Sequence, residues 1–186
     1  YTGEYESYDL LGENITVYGG QFSKAVDSAY LAPNYAYITT GEVVKLADVI
    51  ADDIVTLESD VTMTEKLTVT GTTILDLNGH TLTLADLGYA YGMVVTGTLK
   101  IVGNGTIVAP GGFGIGVNAS GYLTIENGTY VGGEYIIGGF GGEIVINGGK
   151  YTNAGADGKD DAGKDRSDMI YVKNGGKIVI NGRDID

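Results

Sequence analysis

Apolar and polar residues alternate along most of this chain in runs too short for helices. The clearest run is Ile74-Leu75-Asp76-Leu77-Asn78-Gly79-His80-Thr81-Leu82-Thr83-Leu84. Alternation puts Leu75 and Leu77 on one face of a strand. Asn78-Gly79 then turns the chain, since both residue types tolerate the positive φ of a sharp bend. Leu82 and Leu84 resume the inward pattern.

The phrase returns in altered form. It appears as Ile15-Thr16-Val17-Tyr18-Gly19-Gly20-Gln21-Phe22, Leu99-Lys100-Ile101 running to Ile107, Leu123 to Tyr130, Ile144 to Tyr151, and Ile178 to Ile185. Aligned on the inward residue before each turn, Leu77, Ile101, Ile125, Ile146 and Ile180 lie 24, 24, 21 and 34 residues apart. The last gap is one unit plus an insertion. A second set of apolar positions (Leu67/Val69, Val94, Ile115/Val117, Ile136, Ile170/Val172) precedes the anchors. A third (Leu82/Leu84, Ile107, Tyr130, Tyr151, Ile185) follows them. Three short strands in constant phase per unit predict an all-β chain, a right-handed parallel β-solenoid of 21–24 residues per coil. A sandwich of hairpins is the alternative that Asn-Gly turns also allow.

Residues 43–53 break the alternation. Val43, Leu46, Val49 and Ile50 follow a helical period, so a short amphipathic helix is expected there as a cap over the first coil. With that helix, Ile54-Val-Thr-Leu-Glu-Ser-Asp-Val-Thr-Met63, Leu75-Asp-Leu-Asn-Gly-His-Thr-Leu82 and the Asn-Gly-Gly coils, residues 43–186 resemble the right-handed β-helix domains of bacterial and phage surface proteins, within the wider pectate-lyase-like superfamily. The resemblance implies the fold and an extracellular or cell- or virion-surface setting. It does not imply one activity, because that superfamily hosts lyases, hydrolases, adhesins and structural fibres.

The division read from the sequence is residues 1–40, a coil-plus-cap segment, and residues 41–186, the solenoid. The phrase Gly19 to Tyr35 resembles segments that close the last coil in similar proteins, yet here it comes first. Joined on paper, Ile180 and Val17 would be 23 residues apart, one ordinary coil. Tyr8 and Leu10 would then supply the first strand set, and Ile15, Val17 and Phe22 the next. Three arrangements satisfy this. The segment folds back along its own solenoid, or it completes the open end of a neighbour, or the chain is a piece of a tandem array. Completion of a neighbour would build a head-to-tail homopolymer. Its interface would comprise Tyr8, Leu10, Ile15, Val17, Phe22, Tyr30 and Leu31 on one side and Ile178, Ile180 and Ile185 on the other. Residues 36–42 are expected to be the linker between subunits. Covering about 400 Å² of apolar end surface would contribute on the order of 10 kcal/mol before ordering costs.

Composition narrows the partners. The 186 residues include 32 Gly, 14 Tyr and no Cys, with a net charge of −13. Zero Cys excludes a disulfide scaffold and thiolate zinc sites. The acidic balance argues against nucleic acid and anionic membrane. No apolar run is long enough to cross a bilayer as a helix. Starting at Tyr1 rather than Met, the chain is read as a processed product that has lost a secretion signal.

Candidate chemistry is sparse. His80, the only histidine, sits in a turn phrase with no nucleophile tied to it. A lyase-like site needs outward acids with an Arg or Lys, but the outward residues at the anchors read Asp76, Lys100, Thr124, Val145 and Val179, and the only arginines are Arg166 and Arg183. No enzymatic activity and no obligatory cofactor are therefore expected. The insertion carries Asp157, Asp160, Asp161, Asp165 and Asp168, oxygen donors that could take calcium, though without the spacing of an EF-hand. Asn14, Asn104, Asn118 and Asn127 begin glycan-acceptor triplets. Tyr130 and Tyr151 fall on inward positions and read as core. The sequence thus points to an extracellular structural subunit that polymerises by strand complementation. A carbohydrate-binding or polysaccharide-degrading surface module is the second reading.

Overall fold

A computed structural model of the chain describes residues 10, 12–51, 54–111, 113–133, 135–153 and 169–182. Two strands and a hairpin partner come first: β1 (Gly20–Gln21), β2 (Tyr35–Ile38) and β3 (Glu42–Lys45), followed by helix α1 (Leu46–Val49). Then come β4 (Ile54–Thr56), β5 (Val61–Thr62), β6 (Leu67–Val69), β7 (Thr72–Asp76), β8 (Thr81–Thr83), β9 (Met93–Val95), β10 (Thr98–Val102), β11 (Thr106–Ala109) and β12 (Phe113–Asn118). The climb ends with β13 (Tyr122–Ile125), β14 (Thr129–Gly132), β15 (Tyr135–Phe140), β16 (Glu143–Ile146), β17 (Lys150–Asn153), β18 (Ile170–Lys173) and β19 (Lys177–Ile180).

From β4 to β16 each strand pairs, in parallel, with the strand three places on. The result is three sheets, ordered β19-β16-β13-β10-β7-β4, β17-β14-β11-β8-β5 and β18-β15-β12-β9-β6. This is the parallel β-solenoid that the three strand sets predict, and the hairpin sandwich is excluded. Inward side chains from the three sheets share one core, filled by columns such as Val55, Leu75, Ile101, Ile125 and Ile146.

The register corrects the sequence alignment in the second coil. Leu75 pairs with Ile101, and Thr73 with Leu99. The inward pair is Thr73/Leu75, not Leu75/Leu77. Thr73 is polar yet buried, so hydropathy alone moves the anchor two residues forward. Leu77 turns the corner instead, its N–H donating to the Val102 carbonyl at 3.0 Å. The outward column consequently carries Ile74 where Asp76 was expected, beside Lys100, Thr124, Val145 and Val179. Two smaller corrections fall in the β6–β18 sheet. Met93 and Val95, not Val94, face inward opposite Leu67 and Val69. Ile137, rather than Ile136, stacks on Ile115. The Asn-Gly bend forms as expected, with φ 46° at Asn78 and 85° at Gly79.

The cap differs from the expected helix over 43–53. The helix is the single turn Leu46–Val49, and residues 42–45 are strand β3. Nor are residues 36–42 a linker, because β2 and β3 pair as an antiparallel hairpin. That hairpin is a bulkhead. Ala36, Ile38, Leu46 and Ile50 enter the solenoid core. Tyr37 and Val43, pointing the other way, join Val17 and Val26 in a separate small core.

Candidate assembly ends

The bulkhead is tied to the first coil by its own polar groups. Asn34 adopts φ 73° and acts as a clasp. Its Oδ1 accepts from the Thr64 N–H at 2.7 Å and the Glu65 N–H at 3.3 Å, and its own N–H donates to Thr62 O at 2.8 Å. Along the hairpin, the Glu58 N–H donates to Tyr37 O at 2.9 Å, and the Tyr37 N–H donates to the buried Ser59 Oγ at 3.2 Å. The lower strand edges of the first coil are thus met by this chain's own residues 34–50.

Outside the bulkhead, residues 15–31 fold against it. Val17 bridges Leu31 in parallel, the Val17 N–H donating to Tyr30 O and the Ala32 N–H to Val17 O. The small core holds Val17 and Val26 buried, with Leu10, Ile15, Phe22, Tyr30 and Leu31 only partly covered around them. Tyr18, set edge-on to Tyr35, is 66% exposed. Six of the sequence-predicted interface residues (Leu10, Ile15, Val17, Phe22, Tyr30 and Leu31) are therefore gathered at one end. Tyr8 lies outside the described residues. Fold-back of this segment along its own solenoid is overturned, because residues 12–31 stay beside β2 and β3.

Ile178 and Ile180 stand at the opposite end, on β19. Among the described residues, β17, β18 and β19 each pair on one side only. Val179 is 51% and Ile180 46% exposed, although their counterparts one coil earlier, Val145 and Ile146, are half-buried and buried. Ile185 lies outside the described residues. The corner beside β19 carries a polar ladder. Lys100 Nζ meets Glu126 Oε1 at 2.7 Å, Asn147 Nδ2 donates to Glu126 Oε2 at 2.9 Å, and Asn181 Nδ2 donates to Asn147 Oδ1 at 2.9 Å. The Lys100 hydrogen bond, then the one from Asn147, holds the Glu126 carboxyl below its ordinary value. Glu126 accepts from both neighbours, Asn147 accepts from Asn181, and Asn181 is the last described rung.

His80 sits in the turn, its Nδ1 3.5 Å from Asp60 Oδ1 and its N–H donating to Leu77 O. Asp157, Asp160, Asp161, Asp165 and Asp168 all lie outside the described residues. Asn14, Asn104 and Asn118 are exposed. Asn127 is half-buried, and its Nδ2, the atom a glycan would take, donates to Asn104 Oδ1 at 3.1 Å. Tyr130 and Tyr151 are core residues, stacked at 5.0 Å with planes 13° apart. Sequence reasoning missed an outer aromatic cluster. Tyr91 lies across Gly116 and Gly138, in contact with Phe113 and Phe140, and Tyr135 and Tyr171 extend the group. Its sequence signal was the Gly at 116 and 138, where a side chain would collide with the Tyr91 ring.

No helix among the described residues is long and apolar enough to cross a membrane. No protein-family model, curated protein or solved structure matches the chain.

Proposed function

We propose that this solenoid is a structural building block that associates head to tail in an extracellular fibre or surface appendage. The observation that carries the reading is the unlikeness of the two ends. One end presents β17, β18 and β19, whose outer edges are unpaired among the described residues, with half-exposed Val179 and Ile180. The other presents partly covered Leu10, Ile15 and Phe22 around a small core. An unpaired strand edge is a template for another chain, and unlike contacting surfaces repeat without closing. The docking unit is the whole folded cap rather than a loose donor arm, since residues 34–50 are committed to their own first coil and Val17 and Leu31 fold against them.

The test is sedimentation velocity across a wide concentration series, with negative-stain electron microscopy of the same samples. The expected result is a weight-average mass that rises with concentration and rods of solenoid width. A constant monomer mass with no rods at the highest concentration overturns the reading.

A further inference from the structure

A second feature lies on the flank of the solenoid, where the cap segment passes the first two coils. The outward face of β5 and β8 carries Thr62, Thr81 and Thr83, alternating with buried Val61 and Leu82. Thr62 and Thr83 are register partners, and Thr81 stands two residues before Thr83. Strand geometry sets such hydroxyls about 4.8 Å apart across strands and about 6.8 Å apart along one. The segment Ser28 to Tyr35, on its way to the bulkhead, rises beside this face as a wall. Between wall and face is a cavity of about 500 Å³, a volume ordinary for small-molecule sites.

The polar groups lining it are unspent. Among the described residues, Ser28 Oγ and the hydroxyls of Thr62, Thr81 and Thr83 have no protein hydrogen-bond partner. Asp60 uses only Oδ1, which accepts the Thr81 N–H at 2.8 Å and faces His80. Oδ2 has no partner among the described residues. Among the described residues no Lys or Arg lines the cavity, while Leu31, Pro33 and Tyr35 give it an apolar side.

We propose that this cavity binds a neutral saccharide. Four hydroxyls that can each donate or accept, with one carboxylate oxygen that only accepts, match the vicinal hydroxyls of a sugar ring. The apolar wall packs against the ring's C–H face. The absence of a cation from the lining disfavours phosphates, sulfates and uronic acids, whose charge would meet only Asp60. Leu31 and Tyr35 are shared with the small core of the cap end, but the hydroxyls and Asp60 are not, so sugar binding by the single chain stands or falls without end-to-end association.

The experiment is methyl NMR of the full chain with labelled threonines, titrated with cellobiose, lactose and N,N′-diacetylchitobiose. At least one sugar is expected to give saturable shifts at Thr62, Thr81 and Thr83, leaving Thr129 and Thr152 still. Thr83→Val removes one hydrogen-bonding group and Asp60→Asn turns the acceptor at Oδ2 into a donor, both keeping shape, and each is expected to weaken binding about fivefold. An otherwise unchanged methyl spectrum serves as the check that both variants are folded. Three results overturn the proposal: no shifts with any of the sugars, shifts unaltered in both variants, or binding of digalacturonate or spermidine in place of the neutral disaccharides.

Discussion

Thr73 shows how one side chain can mislead a sequence and weaken a fold. It occupies the inward column of Leu99, Leu123 and Ile144, is 1% exposed, and its Oγ1 has no hydrogen-bond partner among the described residues. A buried hydroxyl left unpaired costs about 1–3 kcal/mol. Thr73→Val keeps the branched shape and removes that cost, so it is expected to stabilise the chain by about 1–2 kcal/mol. A higher midpoint in urea unfolding with an unchanged slope checks it; a lower midpoint contradicts it. The stacked tyrosines make a second prediction. Tyr130 Oη donates to Asn127 O at 3.0 Å and Tyr151 Oη to Gly148 O at 3.2 Å. Burial raises both phenols above their ordinary values. The folded state therefore holds these protons more tightly than the unfolded one. Their contribution is complete below the unfolded value of about 10 and is lost as pH rises above it. The thermal midpoint should fall above about pH 10, and Tyr151→Phe, which cannot ionise, should flatten that fall. An equal alkaline slope in the variant would remove this explanation.

At the scale of elements, the coils were legible and the cap was not. Strands repeat the same constraint at every turn: an inward apolar pair, a polar corner, a bend with Gly or Asn. A single sequence therefore states the pattern several times, and one polar substitution at Thr73 shifts only one coil. The bulkhead is stated once. Val43, Leu46, Val49 and Ile50 satisfy a helical period, but Val43 and Leu46 serve two different cores on opposite sides of the hairpin. An element buried on both faces shows no amphipathic signature that separates strand from helix. The Asn34 clasp was equally hidden, since its partners are 30 and 31 residues away. The flank cavity depends on the same element, because its wall exists only when residues 28–35 run beside β5 and β8. Two substitutions separate what Asn34 does. Asn34→Gly keeps the positive φ and loses the side-chain bonds, for an expected cost of about 1–2 kcal/mol. Asn34→Ala adds the strain of a left-handed backbone, about 1 kcal/mol more. Hydrogen exchange at Tyr35–Lys45 should accelerate in both variants before exchange in β10–β16 changes. Uniform acceleration throughout would show that the cap and solenoid unfold as one unit.

For the whole molecule, polarity is what makes end-to-end association testable without knowing its strength. Association through one self-complementary end would stop at closed pairs, whereas unlike ends that fit each other form chains. Ile180→Lys places a charge on the half-exposed β19 edge, and Ile15→Lys places one on the partly covered small core at the other end. Desolvating either ammonium inside a contact costs several kcal/mol. Each variant alone keeps one competent end but has no complement for it, so each should sediment as a monomer. Mixed in equal amounts, they still offer one sound pair, the β19 edge of the Ile15→Lys chain against the small core of the Ile180→Lys chain. The mixture should therefore form dimers and stop there, while the unaltered chain continues to rods. Native mass spectrometry with one partner isotopically labelled reads this directly. Mixed-mass dimers without longer species support head-to-tail polarity. Same-mass dimers from either variant alone would mean that like ends meet. A mixture that stays monomeric would mean that these two surfaces do not join.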